Sequence, residues 1–159
     1  MYRFQGSYGV NGFVNNSIFI PLSYSQKWIT KKKKRDLQIT FKKNKVSLLI
    51  QQPIENEFPR ININLLRNYS DPLTSFLKLL SGVLESKTID GRRIYVLSLV
   101  EDKKDQNKKT YEIKDYINIW ADHKRNDLKE ISIINKSNNY LPEVIYIKFK
   151  DRLFRLLKY

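Results

Sequence analysis

Leu37-Gln38-Ile39-Thr40-Phe41-Lys42-Lys43-Asn44-Lys45-Val46-Ser47-Leu48-Leu49-Ile50 is the stretch that decides the fold class. In its first half Leu37, Ile39 and Phe41 alternate with Gln38 and Thr40. A two-residue period marks a strand with one buried face, because successive side chains leave a pleated backbone on opposite sides. On the return Val46, Leu48 and Ile50 keep the same period. The polar turn Lys42-Lys43-Asn44-Lys45 between them makes the two runs an antiparallel hairpin.

Working outward, a Pro53 to Pro59 connection breaks pairing, and Ile61, Ile63 and Leu65 then alternate with Asn62 and Asn64 as a further strand. The middle of the chain predicts a helix over 72–81. Asp71 caps it, Pro72 suits its first position and Gly82 its exit. Leu73, Phe76, Leu77 and Leu80 form its apolar stripe. Asp90-Gly91 turns into Ile94–Val100, a central strand apolar on both faces. Glu101 to Lys109 is a charged loop. Strands follow near Tyr111–Trp120, Leu128–Asn135, Val144–Lys150 and Arg152–Leu157, the last two joined at Lys150-Asp151. Upstream, alternating Tyr2, Phe4 and Tyr8 start a strand at once. The expectation is one mainly β domain over 1–159: an antiparallel meander with one amphipathic helix on a sheet face.

The chain has 159 residues, 41% of them hydrophobic and 13% aromatic, enough to bury a core. No apolar run approaches the roughly 18–20 residues of a membrane-spanning helix, and the N-terminal residues lack a signal-peptide pattern. Cysteine is absent, which excludes disulfides and thiol chemistry. Net charge is +14, from 30 Lys and Arg against 16 Asp and Glu. Such a surface attracts nucleic acid, anionic headgroups or acidic proteins. A competing cause is A/T-rich coding, which favours Lys, Asn, Ile and Tyr.

Catalytic chemistry finds little support. His123 is the only histidine, which excludes multi-histidine metal sites and histidine triads, and it lies in the polar stretch Asp122-His123-Lys124-Arg125. The acids fall mainly in turns, as at Glu55, Asp102, Asp105 and Asp127. The glycines Gly6, Gly9, Gly12, Gly82 and Gly91 lack phosphate-loop spacing. The expectation is no enzyme, no cofactor and no metal. Two basic stretches are candidate anion contacts: Lys31, Lys32, Lys33, Lys34 and Arg35, and Arg92 with Arg93 after the Asp90-Gly91 turn. Each has an ordinary alternative, as a solvated turn that discourages edge pairing or as residues flanking a strand. Trp28, Trp120 and the ten tyrosines could stack bases or simply fill half-buried strands.

Asp71-Pro72-Leu73-Thr74-Ser75-Phe76-Leu77-Lys78-Leu79-Leu80, followed by Asp90-Gly91-Arg92-Arg93-Ile94-Tyr95, resembles a bacterial family of exported proteins catalogued as a domain of unknown function. Its members pair an Asp-Pro-Leu-Ser-Ala-Phe-like helix start with an Asp-Gly-Arg-Arg-Tyr strand entry at similar spacing. Tyr2-Arg3-Phe4 with Gly9 and Gly12, and Leu141-Pro142-Glu143-Val144, look like its flanking landmarks. The resemblance implies a curved antiparallel sheet, an open half-barrel with the helix on its concave face, similar to periplasmic lipoprotein carriers. It also implies residence in the periplasm or cell envelope and carries no catalytic residue. This chain departs from the family in lacking an export signal and the cysteines that relatives carry.

Two functions follow as expectations. One is a non-enzymatic envelope protein holding a lipid, acyl chain or apolar peptide, or another envelope protein. Its lining would be Leu37, Ile39, Phe41, Val46, Leu48, Ile50, Ile61 and Ile63, which would serve equally as an ordinary core. The other is a basic nucleic-acid- or polyanion-binding module using Lys31 to Arg35.

Overall fold

The computed structural model describes residues 4–100, 107–120, 127–135 and 142–158. Among the described residues the chain is mainly β, with antiparallel sheets that do not close into a barrel and one α-helix. The expected strands divide into two sheets. The first is a meander of β1 (Phe4–Asn15), β2 (Ile18–Thr30), β3 (Lys34–Lys42) and β4 (Lys45–Gln52). The second contains β5 (Tyr69–Ser70), β6 (Glu85–Ile89), β7 (Arg93–Val100), β8 (Lys108–Asn118), β9 (Leu128–Ile134), β10 (Val144–Phe149) and β11 (Arg152–Leu157), adjacent in that order. The β5–β6 pair is parallel, because the helix α1 (Pro72–Leu80) crosses between them.

The deciding hairpin forms, with Lys43 and Asn44 both at positive φ in its tight turn. Its return strand differs from expectation. Register slips between Thr40 and Phe41, so that Phe41 faces Val46 while Thr40 faces Leu48. Ser47 is the extra residue, its hydroxyl donating to the Thr40 carbonyl at 3.0 Å. One inserted residue flips the rest of a strand to the opposite face. Val46 and Leu49 therefore pack inward, while Leu48 and Ile50 are exposed. The strand expected at Ile61–Leu65 is instead a 3₁₀ turn, Ile63–Leu65, with the Asn62 carboxamide oxygen accepting from Asn64 N. Ile61 and Ile63 still pack against the core, but Leu65 is exposed.

The helix forms nearly as expected. Asp71 is fully buried, and its carboxylate accepts from Thr74 N at 2.9 Å and from the Thr74 hydroxyl at 2.6 Å. At the other end Gly82, at φ +86°, donates to the Leu79 carbonyl while Val83 donates to Lys78, closing the helix in a Schellman motif. The deepest apolar residue is Leu79, not one of the expected stripe. Beside it Ser75 accepts from the hydroxyls of Ser86 and Thr88 on β6, at 3.1 and 2.8 Å. The helix thus rests on β6 partly through hydroxyls.

Two apolar clusters hold the sheets and helix. Tyr24, Leu37, Ile39, Phe41 and Val46 of the first sheet meet Ile89, Ile94 and Ile119, with Leu73 of the helix packed against them. Leu79 meets Tyr95, Leu97, Tyr111 and Ile133 in the other cluster. Central β7 buries Ile94 to Leu97, as its two-sided apolarity requires. Cross-strand partners share a face, so Ile145 and Leu156 lie on the helix-bearing face beside Ile133, and Ile147 and Phe154 beside Ile131. There the cover ends: Phe154 and Leu156 are 46% and 52% exposed.

Candidate anion-binding site

The β2–β3 turn is organised by one hydroxyl. Thr30 Oγ1 accepts from Lys33 N at 3.0 Å and from Lys32 N at 3.3 Å, and Thr30 N donates to the Lys33 carbonyl at 2.8 Å. A threonine that ties its own turn fixes the backbone of the lysines that follow it. Their side chains border an open cleft of about 650 Å³, lined by Lys32, Lys33, Lys34, Arg35 and Asp36 and closed by Gln52 and Pro53.

Among the described residues Asp36 is the one acid of that lining. It sits 3.7 Å from Lys34 Nζ, whose side chain remains mostly exposed. The Arg35 guanidinium lies 5.5 Å from the Trp28 ring, a cation over an aromatic face. Lys31 is exposed at the head of the turn and does not line the cleft. Adjacent like charges repel, and a bound anion relieves that repulsion. Chemically the arrangement can hold phosphate or sulfate groups. Sequence reading pointed to the lysine run, and to Trp28 as a base-stacking candidate, but missed Thr30, Gln52 and Pro53. Thr30 was visible as a hydroxyl residue opening a basic turn, whereas Gln52 arrives only through pairing with Asp36.

Arg92 and Arg93 do not join this site. Asp90 Oδ1 accepts from Arg92 N at 2.9 Å and Arg93 N at 2.8 Å, closing the turn around Gly91 at φ +86°. The Arg92 guanidinium donates to Glu55 at 3.1 Å. That of Arg93 lies 3.7 Å from Asp90 and 5.9 Å from the Tyr116 ring, which stacks on Tyr95. Burial pushes the Asp90 carboxyl up to about 6, against the opposing pull of Arg93 and its backbone N–H. Burial raises the Tyr24 and Tyr95 hydroxyls, and nearby carboxylates raise them further. This is an internally neutralised turn.

The eight residues expected to line a ligand chamber separate. Leu37, Ile39, Phe41 and Val46 are packed against the second sheet, Leu48 and Ile50 face the opposite way, and Ile61 and Ile63 pad the same core. Trp28 and Trp120 likewise stand apart: Trp120 donates to the Gly91 carbonyl at 2.9 Å and packs on the first cluster. Tyr24, Tyr95 and Tyr111 are buried. Lys78, on the helix, donates to Ser70 at 2.6 Å, and burial lowers its pKa. His123, Asp102, Asp105, Tyr2, Arg3 and Leu141 lie outside the described residues. No family model, curated protein or solved structure matches the chain.

Proposed function

We propose that the chain is a non-enzymatic binding module whose basic cleft holds the phosphate groups of a polyanion. The observation that supports this most is the lining itself: among the described residues Lys32, Lys33, Lys34 and Arg35 border one cleft with a single carboxylate. The net charge of +14 adds a long-range field that speeds encounter with any polyanion. Nucleic acid and anionic headgroups are two sources of the same phosphate chemistry.

Labelled single-stranded oligonucleotide, titrated at rising salt, tests the reading. Three or four phosphates neutralised give a log–log slope of about −2 to −3. Lys32→Gln/Lys33→Gln/Lys34→Gln weakens binding at least about ten-fold at about 50 mM salt and flattens the slope. Vesicles containing phosphatidylglycerol, in a parallel arm, distinguish a lipid source. Absence of binding to either probe at low salt, or a triple variant that binds as tightly as the parent, overturns the reading.

A second reading has its own observation. The helix-bearing face continues uncovered over Phe154 and Leu156, with Ile145 and Ile147 beside them. One short helix does not span it, so an acyl chain or apolar peptide has a place there rather than in the first sheet. Residence in the bacterial periplasm or envelope belongs to this reading and rests on the resemblance of the Asp71 and Asp90 segments. Native mass spectrometry of gently purified protein tests it: a lipid-sized adduct that Phe154→Asn/Leu156→Asn removes is expected, and a bare mass with no fatty-acid uptake counts against it.

A further inference from the structure

The β1–β2 ribbon is chemically unlike the rest of the molecule. Charged residues make up 29% of the chain, yet none occurs from Phe4 to Gln26. Pairing of β2 with β3 begins only at Ser23, so Asn11–Asn15 and Ile18–Leu22 form a two-stranded ribbon beyond the four-stranded sheet. Its tip turns at Asn16 and Ser17, both at positive φ. Phe13, Val14 and Ile18 are 60%, 65% and 62% exposed.

Its register puts apolar side chains on both faces. Phe13 pairs with Ile20 on one, and Val14 with Phe19 on the other. A ribbon that docks on a protein surface needs one apolar face, with polar residues opposite. Apolarity on both faces suits a medium that surrounds the ribbon. At the base stands a cationic turn: Lys42 and Lys43 are exposed, and Lys45 bridges to exposed Arg67. This turn begins two residues past Thr40, the last partner of β2. Five residues per arm reach about 17 Å, enough to cross a headgroup layer and enter the acyl boundary by about 5–10 Å. Among the described residues the ribbon's outer N–H and C=O groups have no further strand partner, and they hold it at that shallow depth, where water and headgroups can satisfy them.

We propose that this ribbon is a finger that docks the protein on an anionic lipid bilayer, with Phe13, Val14 and Ile18 entering the acyl boundary and Lys42, Lys43, Lys45 and Arg67 meeting the headgroups. It does not rest on the cleft reading. The two sites lie at opposite ends of β2, whose 13 residues span roughly 40 Å.

Because the chain has no cysteine, Val14→Cys gives a unique position for an environment-sensitive NBD label, and Leu153→Cys on β11 gives the control. On phosphatidylglycerol-containing vesicles the label at position 14 shifts to the blue and brightens, and the control does not. Phe13→Asn/Ile18→Asn lowers vesicle partitioning about ten-fold, while circular dichroism stays that of the parent. Lys42→Gln/Lys43→Gln lowers it severalfold and removes part of its salt dependence. The inference is overturned by an unshifted label, by the ribbon variant binding as the parent does, or by vesicle binding that only the Lys32–Lys34 variant abolishes. A concentration-dependent dimer that the ribbon variant dissolves overturns it too, by assigning the finger to a second copy.

Discussion

Lys31–Arg35 and Asp90–Arg93 are both short basic stretches at β-turns, and they end in opposite electrostatic states. In the second, every cation has a local destination: Glu55 for Arg92, and Asp90 with Tyr116 for Arg93. In the first, Lys32, Lys33, Lys34 and Arg35 line an open cleft whose described lining holds one acid, Asp36, with Arg35 over the Trp28 ring. What separates them is whether the cations are drawn into pairs or stand around an open cleft, a property of topology rather than of the motif. The same contrast bears on A/T-rich coding. Such a bias scatters lysine over solvated positions, yet the exposed ribbon from Asn11 to Leu22 has none, carrying Asn, Ser, Phe and Ile instead. Charge in this chain is patterned, and composition alone does not pattern it.

The largest expected effect breaks the internally neutralised turn. Gly91 sits at φ +86°, and a Cβ there would stand 2.5 Å from both methyls of buried Leu37. Gly91→Ala adds backbone strain to overpacking and costs about 2–4 kcal/mol, a fall in Tm of roughly 5–15 °C for a chain of this size. Leu37→Ala in the same background recovers part of the loss, because the two residues share one space. Additive losses from thermal melts would show that the contact does not matter.

A smaller effect separates the two stretches by pH. Unfolded, Asp90 titrates near 3.8; folded, burial holds it at about 6. Between these values the folded state binds the extra proton, so this group's contribution to stability falls as pH rises from 4 to 6. Asp90→Asn cannot ionise. Relative to the parent it is expected to gain roughly 2 kcal/mol between pH 4 and pH 7. Parallel denaturant melts at the two pH values check this. A constant difference would mean that Asp90 is solvated in the folded state.

The turns, the helix and the central strand were readable because each depends on local chemistry. Asp71, Pro72 and Gly82 set the helix ends, and Gly91 marks a left-handed turn. The outward flip of Leu48 and Ile50 was not readable, since Val46, Leu48 and Ile50 keep a two-residue spacing beside an equally apolar Leu49, and Ser47 reveals its bulge only against Thr40. Ile61–Leu65 alternates equally well, but Asn62 caps a 3₁₀ turn there instead. Strand β2 escaped because Pro21 interrupts it and its alternation of Ile20, Leu22 and Tyr24 is blurred by Ile18-Phe19 before it and Trp28-Ile29 after it. For the candidate site, the lysines were legible as a run. Their convergence with Gln52 and Pro53 was not, because it depends on the hairpin's register.

The smallest expected effect on stability is the most informative about the open cleft. The Lys33 side chain borders the cleft and is exposed, while its backbone N–H and carbonyl are the groups tied to Thr30. Lys33→Gln therefore leaves the turn intact and removes one charge from a repelling set. Its Tm should stay within about 1 °C of the parent, on the upper side if either. Affinity for a single-stranded oligonucleotide should nevertheless fall severalfold, and the salt slope should lose about 0.7. A residue held for folding would show the reverse pattern, losing stability and leaving the salt slope alone. Arg92→Gln, which frees Glu55 from its partner, supplies that reverse pattern as the internal control.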